Sequence, residues 1–533
     1  MVHPVLQQNA DDLDRPDERV SVLLAQMTLD EKIGQLCQVN GGQHDLHDAV
    51  RAGRIGSIIN EVNVNELNEL QRIAVEESRL GIPLMIGRDV IHGFKTIFPI
   101  PLGQAATWDP ASVKAAARVA ATEAASVGVN WTFAPMIDIT RDPRWGRIAE
   151  SLGEDPVLCS SLGAAMVEGF QGDQLSDHGA IAACAKHFAG YGAVEGGLDY
   201  ATANIPENEL RNVYLQPFKA AADAGAVTFM TSFSDLNGVP ASGNEFLMRQ
   251  VLRTEWGFGG FVVSDWESIK ELTVHGFTAN DSEAAFEAAN AGVDMEMASS
   301  VYRDHLPALL ESGRLQESQI DEMVCNILKV KFALGLFENA FTDPHGFPRL
   351  VNDEHRDLAK AVATKSCVLL KNDGAVLPLS LESTADIAVI GPLADDGYEQ
   401  LGTWIFDGES HHSHTCLRAI SDLAGDRARV HWVPAMRSSR CRENAGIEDA
   451  VRAARESDVA LLFLGEESIL TGEAHSRADI GLPGEQEALI ESVTATGTPT
   501  VLVVLAGRPL TLGNIVDKVS AILYAWHPGT MGG

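Results

Sequence analysis

Basic residues are scarce in this sequence relative to acidic ones. Lysine and arginine together number 40 against 74 aspartates and glutamates, which gives a formal net charge of -34. Such a charge repels phosphate backbones and anionic lipid headgroups, so it argues against a nucleic-acid-binding protein or a membrane-surface protein. A neutral substrate such as a sugar would not experience this repulsion.

Paired cysteines and long apolar runs are also missing. Seven scattered cysteines form no CxxC pair, which argues against a disulfide framework or a cysteine zinc site. No run reaches the length of a membrane span, and the first twenty residues lack the basic and apolar regions of a signal peptide. We therefore expect no membrane association and, as the chain is written, a cytoplasmic location. A periplasmic or secreted location applies if a native leader was removed.

Short apolar runs alternate with helical stretches over about the first 300 residues. Two helices come first, and Thr28 and Glu31 form the sequence pattern of a capping box at the second. Strands are predicted in GSIIN, IPLMIGRDV, VNWTFAPMID, AACAKHF, VTFMTSF, FVVSDW and VDMEM. Strands and helices in alternation predict an α/β fold with a parallel sheet, and this number of units favours a (β/α)8-like barrel over residues 1–338.

A second α/β region follows a stretch rich in Pro, Asn, Asp and Gly. That stretch, residues 339–355, is predicted to be an interdomain linker. A helix is predicted over RDLAKAVATKSCVLLKN, and strands in DIAVIGP, VALLFLGE, TPTVLVVLAG and SAILYAW. Residues 356–533 are thus expected to form an α/β sandwich domain with a mostly parallel sheet. Because the sequence stops directly after a strand and turn, we expect this domain to be incomplete at its C-terminal end.

The segment FVVSDWES delivers Asp265 and Trp266 to the end of a β-branched strand. A carboxylate beside an indole suits a glycosidase, because the Asp can attack an anomeric carbon while the ring packs on the sugar. The alternative is that Asp265 only caps a helix over SIKEL.

Further polar residues fall at the ends of other predicted strands, the face on which barrel enzymes carry their chemistry. Lys186 and His187 end one strand and could donate hydrogen bonds to sugar hydroxyls, and Asp89 could accept two from one ring. The alternatives are an incidental Lys-His pair and a turn cap. The segment RDPRWGRIAESLGEDP, which contains Arg147, is either part of this site or a surface salt-bridge loop.

The loop LGEESILTGEAHSRADIGLPG in the second domain offers Glu466, Glu467 and Glu473. Retaining glycoside hydrolysis needs a second carboxyl group about 5 to 5.5 Å from the nucleophile, and such a loop could reach over the barrel and supply it. The alternative is an ordinary polar loop. The cluster His411, His412 and His414 lacks flanking cysteines or spaced carboxylates, so we expect a polar loop and no metal there.

Taken together, the chain resembles glycoside hydrolase family 3, specifically its two-domain bacterial β-glucosidase branch. Eight segments carry the likeness in family order: MTLDEKIGQL, IPLMIGRDVIHGFKTIFPIPLG, FAPMIDITRDPRWGRIAESLGEDP, KHFAGYGAVEGG, FVVSDW, VLLKNDGAVLPL, IGPLADD and WHPGTMGG. The resemblance implies a retaining exo-β-glycosidase, most simply a β-glucosidase acting on terminal non-reducing β-D-glucosyl residues, without a cofactor. A homodimer is one possible assembly.

The resemblance also implies roles for individual residues. Asp265 corresponds to the nucleophile, Trp266 to a stacking ring, and Glu473 to the acid/base, with Glu466 as the other candidate. The glycone-binding positions of the family fall on Asp89, Arg147, Lys186 and His187. Phe233 lies where some members carry a tyrosine, which changes one contact to the sugar.

Of three alternative functions, one stays open, the sequence argues against one, and an activity assay separates the third. A β-xylosidase or arabinofuranosidase is open, since pentose and hexose pockets can differ by one side chain. The β-N-acetylglucosaminidase branch uses an Asp-His dyad on a barrel loop, and the loop after Lys186 and His187 has no Asp-x-His. A non-catalytic sugar-binding protein would release no nitrophenol from an aryl β-glucoside.

Overall fold

Eight parallel strands form a barrel in the N-terminal part of the chain. The computed structural model describes residues 16–43 and 45–533. Within these ranges the first ten strands are β1 Cys37–Asn40, β2 Ser57–Ile59, β3 Met85–Arg88, β4 Trp131–Thr132, β5 Cys184–Phe188, β6 Thr228–Thr231, β7 Asp235–Leu236, β8 Val239–Pro240, β9 Phe261–Trp266 and β10 Met295–Met297. The sheet order is β4-β3-β2-β1-β10-β9-β6-β5, while β7 and β8 form a separate hairpin. Backbone bridges from Trp131 to Ala182 and from Met136 to Lys186 join the two edges, so the ring is nearly closed.

Helices surround the barrel and bury its outer face. They span Pro16–Leu24, Leu29–Gln35, Leu46–Arg51, Val64–Arg72, Pro101–Ala105, Pro110–Ala125, Pro156–Gln171, Glu207–Glu209, Gln216–Asp223, Asp281–Ala291, Val301–Glu311 and Glu317–Ala333, with π-helical stretches at Ile73–Glu77, Leu210–Tyr214 and Phe246–Glu255. The sequence sets several starts: Asp109 and Asp155 each accept two backbone N–H bonds ahead of a proline at the first helical position. The predicted capping box of Thr28 and Glu31 is confirmed. No described helix is both long and apolar enough to span a membrane.

The first barrel strand was absent from the sequence prediction. Cys37–Asn40 reads CQVN, which is short and half polar, and its last two residues are only partly buried. It forms a strand because it fits between β2 and β10, pairing in parallel with both. The other seven predicted barrel strands are confirmed.

A six-stranded sheet forms the core of the C-terminal part. Its strands are β11 Val368–Asn372, β12 Asp386–Ile390, β13 Arg429–Val433, β14 Val459–Gly465, β15 Thr500–Leu505 and β16 Ala521–Tyr524, in the order β11-β16-β15-β14-β12-β13. Helices span Asp353–Ser366, Cys416–Ala424, Ile447–Arg455 and Gln486–Thr494. Separate apolar clusters cover the two faces of the sheet, which explains why the central strands VALLFLG and TVLVVL are buried along their whole length.

The predicted helix over residues 356–372 was wrong at both ends. The helix begins at Asp353, inside the predicted linker, because the Asn352 side chain caps it through the N–H of His355 at 2.9 Å. It ends at Ser366, and Val368–Asn372 instead pairs antiparallel with β16. The VLL run favours an extended strand over a continued helix. The division at residues 338 and 356 stays a prediction.

A buried arginine joins the two halves of the molecule. The Arg508 guanidinium donates to the carbonyl oxygens of Pro143 and Arg144 in a barrel loop, both at 2.9 Å. It also donates to the carbonyls of Leu470 and His475 in a second-domain loop, at 2.5 and 2.9 Å. The two loops touch directly, since the N–H of Gly472 donates to the carbonyl of Gly146 at 2.8 Å. The contact leaves no room for a side chain at Gly146, where a Cβ would lie 2.1 Å from the Gly472 oxygen.

We expect Arg508→Met to lower the free energy of unfolding by roughly 3 kcal/mol, because it leaves buried carbonyls without donors and removes one partner of the buried Glu466 carboxylate. Thermal and denaturant unfolding of the purified variant measures this. The control is Arg427→Met, which removes one exposed bond to the Leu423 carbonyl and should leave stability unchanged. Equal stability of the two variants would contradict the interdomain role.

Candidate active site

A cavity of about 370 Å³ opens at the carboxyl ends of the barrel strands, where the second domain faces them. All the predicted site residues except His187 line it. Its charged lining residues are Asp89, Arg147, Lys186, Asp265, Glu271 and Glu473. Its aromatic lining residues are Phe133, Tyr200, Phe233, Trp266, Trp404 and Phe406.

Asp265 lies near the end of β9, and only one of its two carboxylate oxygens accepts a hydrogen bond from a described residue. Its Oδ1 accepts from the Trp266 N–H at 2.7 Å, while its buried Oδ2 has no hydrogen-bond partner among the described residues. The helix-cap interpretation does not fit, since only Lys270–Leu272 forms a short 3₁₀ turn there. Burial raises the pKa of Asp265 to about 7, although the positive charges of Arg147 and Lys186 oppose the shift.

Lys186 and Asp89 form an ion pair on the cavity wall, with Nζ 2.9 Å from Oδ1. Burial favours the neutral amine, but the carboxylates of Asp89, Glu150 and Asp265 outweigh it and raise the pKa of Lys186. The side chain is therefore an ammonium, so the pair presents both donors and acceptors to the cavity.

Arg147 is fully buried and is held by Glu150 through two bonds, at 2.8 and 3.1 Å. Its Nη1 lies 3.5 Å from Glu473 Oε2 and makes no hydrogen bond within the described part of the chain. The surface salt-bridge interpretation applies to the neighbouring pair of Arg144 and Asp142, not to Arg147. A planar cation fixed in this way can donate to an oxygen-rich ligand with little loss of side-chain entropy.

His187 lies behind Asp265 and not on the cavity wall. Its ring Nδ1 is 2.8 Å from Asp138 Oδ2, and its backbone N–H donates to the same oxygen. Its ring Nε2 is 3.5 Å from Asp265 Oδ2. Burial, with the charges of Arg147 and Lys186, lowers the pKa of His187 well below its usual value. The side chain is thus a neutral imidazole that lies between Asp138 and Asp265, and it is not among the residues that line the cavity.

The structure separates the three candidate glutamates of the second-domain loop. Glu473 enters the cavity, where its Oε1 accepts from the Tyr200 hydroxyl at 2.5 Å. Next to it, the Ala474 N–H donates to Asp199 Oδ2 at 2.7 Å, so the barrel loop Asp199–Tyr200 holds this segment by two bonds. Glu466 is instead fully buried against Arg477 and Arg508. Glu467 binds Arg440 at 2.9 Å, outside the cavity.

The sequence analysis did not single out nine of the lining residues: Ile59, Asn60, Phe133, Tyr200, Met230, Glu271, Met297, Trp404 and Phe406. Of these, Tyr200, Trp404 and Phe406 lie in irregular loops, where no periodicity marks a functional side chain. The one available signal was aromatic residues in otherwise polar loops. Trp404 has a buried Nε1 without a hydrogen-bond partner in the described ranges, so it can donate to a bound molecule.

The histidine-rich loop brings Glu409, His411 and His412 close enough to share a metal ion, with ligand atoms within 4.8 Å of one another. Glu409 is already paired with the Lys95 ammonium at 2.5 Å, and His414 lies apart, near Asp422. A cation at this place would compete with Lys95. The expectation of a polar loop without metal therefore stays a prediction.

A (β/α)8-like barrel whose cavity holds several carboxyl groups, two cations and aromatic rings fits a glycoside hydrolase. Family models make the assignment specific: the glycosyl hydrolase family 3 N-terminal domain matches residues 28–330, and the family 3 C-terminal domain matches residues 367–533. The chain belongs to glycosyl hydrolase family 3. The predicted family, fold class and enzyme class are confirmed.

Relatives come from both β-glucosidases and β-xylosidases. A periplasmic β-glucosidase of Salmonella typhimurium is 40% identical over 97% of this chain and 71% of its own length. A β-xylosidase of Formosa agariphila is 32% identical over 99% of this chain and 72% of its own length. Among solved structures, the β-glucosidase of Listeria innocua in complex with glucose has a TM-score of 0.90 and 38% identity, covering 97% of this chain and 73% of that one.

The burial of Asp265 predicts how the stability of the protein depends on pH. Its folded pKa of about 7 lies above the value of about 3.9 in an unfolded chain, so the folded state loses stability as pH rises between these values. Asp265→Asn removes this pH-dependent loss of stability, because the amide does not ionise. We expect its melting temperature to exceed that of the wild type by a margin that grows from pH 5 to pH 8.

Differential scanning calorimetry across this pH range measures the margin. Asp517→Asn changes an exposed aspartate and serves as the control, with no pH-dependent margin expected. A margin for Asp265→Asn that shrinks with rising pH would contradict the burial argument.

Proposed function

We propose that the protein is a retaining, exo-acting β-glucosidase that removes terminal non-reducing β-D-glucosyl residues by double displacement. The observation that carries the proposal is that Asp265 and Glu473, from different domains, line the same cavity. Retaining enzymes need such a pair, one as nucleophile and one as acid/base. The glucosidase relatives support glucose as the glycone.

In the first step, the free Oδ2 of Asp265 attacks the anomeric carbon and forms a glycosyl-enzyme ester. Glu473 donates a proton to the departing glycosidic oxygen, so the aglycone leaves as an alcohol. In the second step, Glu473 accepts a proton from water, which attacks the ester and releases glucose and the Asp265 carboxylate. Arg147 and Lys186 favour the ionised nucleophile, because both positive charges lower its pKa against the effect of burial.

The sugar ring is held by groups that already point into the cavity. Asp89, Lys186 and Arg147 supply charged donors and acceptors, and the Trp404 indole N–H adds one donor. Trp266 and Phe233 offer aromatic surface, Phe233 in contact with Tyr200 at 5.3 Å between ring centroids. His187 lies behind the cavity wall, with its Nε2 3.5 Å from Asp265 Oδ2, and its glycone-binding role stays a prediction.

A β-xylosidase is the second candidate, favoured by the Formosa agariphila relative. Initial rates on matched nitrophenyl β-glucoside and β-xyloside separate the two. An oligosaccharide or other β-glucoside as the natural substrate, a homodimer, the absence of a cofactor, and a cytoplasmic, periplasmic or secreted location stay predictions.

Asp265→Asn should abolish turnover while the protein stays folded, because the amide keeps the shape but cannot form the ester. In the wild type, a 2-deoxy-2-fluoro glucoside with a good leaving group should accumulate as a covalent adduct on the peptide that contains SDW. Peptide mass spectrometry locates the label. Label on another carboxylate would show that Asp265 is not the nucleophile.

Glu473→Ala should slow β-glucosides with poor leaving groups by roughly a hundredfold or more and nitrophenyl glucosides far less, because only the former need protonation. Azide should restore turnover and yield a β-glucosyl azide, since it needs no general base. These rates and the product are measured by chromatography.

Glu466→Ala is the matched control in the same loop. It leaves Arg477 and Arg508 without their buried carboxylate, so it should reduce stability and slow both substrate types alike. Azide rescue in Glu466→Ala, with normal behaviour of Glu473→Ala, would reverse the assignment.

A further inference from the structure

Trp404 has an unusual backbone conformation for a large residue. Its φ is +57°, which lies in the left-handed region. A bulky side chain is unfavourable there and persists only where surrounding contacts enforce it. Trp404 belongs to the second domain, yet its ring lines the active-site cavity, with Arg147 Cζ at 5.2 Å and Lys186 Nζ at 5.3 Å from the ring centroid. Contacts from outside its own segment must therefore hold this backbone in place.

One such contact comes from His92 in the barrel. His92 is buried, at 4% exposure, and lies in the segment that follows β3. Its ring Nε2 is 2.7 Å from the carbonyl oxygen of Thr403. That carbonyl belongs to the planar peptide unit between Thr403 and Trp404, and the rotation of this unit against the Trp404 Cα defines φ. A donor fixed on the Thr403 carbonyl thus restrains the angle that is unfavourable at Trp404.

The His92 ring has one proton for two acceptors. Its Nδ1 lies 2.9 Å from the carbonyl oxygen of Phe98, so both ring nitrogens face groups that only accept. Burial lowers the pKa of His92, while the two carbonyls oppose this shift, and the ring is therefore neutral with a single N–H. On Nε2 this proton joins the barrel to the second domain, whereas on Nδ1 it only closes a turn within the barrel. The shorter distance, to Thr403, favours Nε2.

The other side of Trp404 is fastened independently. Arg88, the last residue of β3, donates from Nε to Asp407 Oδ2 at 2.8 Å, and both side chains are largely buried. Two barrel residues, Arg88 and His92, thus hold the second-domain segment on either side of Trp404. Because the Arg88 pair holds Asp407 without help from His92, we expect loss of the His92 bond to free the peptide unit at Trp404 while the domains stay together.

We propose that His92 is a positioning residue, whose Nε2–H holds the Thr403 carbonyl and thereby keeps the Trp404 indole on the wall of the active-site cavity. This role rests on the proposed β-glucosidase function, in which the Trp404 indole N–H donates to the bound sugar. His92 itself is not among the residues that line the cavity, so it acts through Trp404. Loss of its bond weakens sugar binding without removing a group that reacts.

Two amide substitutions separate the two ring nitrogens. The amide nitrogen of Gln lies as many bonds from Cα as the ring Nε2, and that of Asn as many as the ring Nδ1. On nitrophenyl β-glucoside, His92→Asn should raise KM about fivefold and leave kcat within about twofold, because a misplaced donor is lost from ground and transition states alike. His92→Gln should restore KM to within about twofold of the wild type. The control is His178→Asn, at an exposed ring nitrogen 3.2 Å from the Gly346 carbonyl, which should change neither constant.

A second background tests whether His92 acts through Trp404. Trp404→Phe keeps an aromatic ring and removes the indole N–H. In this background, His92→Asn should raise KM by less than about twofold, since no donor is left to position. A full fivefold rise there would show that His92 acts by another route and would overturn the proposed role.

The position of the proton can be measured in the folded wild type. Nitrogen NMR of the histidine-labelled protein should show the His92 proton on Nε2, with the signal assigned by its absence from the His92→Gln spectrum. If circular dichroism shows that His92→Asn does not fold, this measurement decides. A proton on Nδ1, equal KM values for the Asn and Gln variants, or an unchanged KM in His92→Asn would overturn the role of His92.

Failure of this role is distinct from failure of the proposed function. A wild type that does not hydrolyse nitrophenyl β-glucoside would overturn the β-glucosidase function and the role of His92 with it. An active wild type without the difference between the Asn and Gln variants removes only the role of His92.

Discussion

The contact between one barrel loop and one second-domain loop decides whether Glu473 reaches the cavity of the barrel. Arg508 binds carbonyl oxygens on both loops, and the approach of Gly146 to Gly472 leaves space only for glycine. Glu473 follows directly after Gly472, so the same contact carries its carboxylate into a cavity built mainly by the barrel. Glu466 contributes from a distance, because its buried carboxylate balances the charge of Arg508. A residue outside the cavity thus supports the contact that places Glu473 in the cavity.

In the proposed mechanism, burial of Asp265 in the cavity serves chemistry at the expense of stability. The Asp265 carboxylate lies among buried groups that raise its pKa, and Arg147 and Lys186 bring that pKa back toward the physiological range. Each cation is in turn neutralised by its own carboxylate, Glu150 or Asp89. One oxygen of Asp265 has no hydrogen-bond partner in the described part of the chain, so it is available to a molecule bound in the cavity.

Much of this arrangement can be read from the sequence. Seven barrel strands follow from apolar runs, and barrel geometry then places the polar residues at their ends on one face. The errors have local causes: CQVN is too polar to stand out as a strand, and VLLKN continues a helical stretch although it pairs with β16. Lys186 and His187 are neighbours in the sequence, and only tertiary contacts separate them: Lys186 lines the cavity, whereas His187 lies against Asp138 and Asp265 behind it.

Other features depend on tertiary contacts that no local pattern encodes. Glu466 and Glu473 stand in one polar loop, and only the burial of Glu466 between two arginines separates their roles. Tyr200 and Trp404 come from irregular loops brought together by the meeting of the domains. The most direct test of a paired Asp265 and Glu473 is the stereochemistry of the product. Proton NMR during hydrolysis of an aryl β-glucoside should show β-glucose as the first anomer formed, before mutarotation. If α-glucose forms first, the reaction inverts, and the two carboxyl groups do not act as the nucleophile and acid/base of a double displacement.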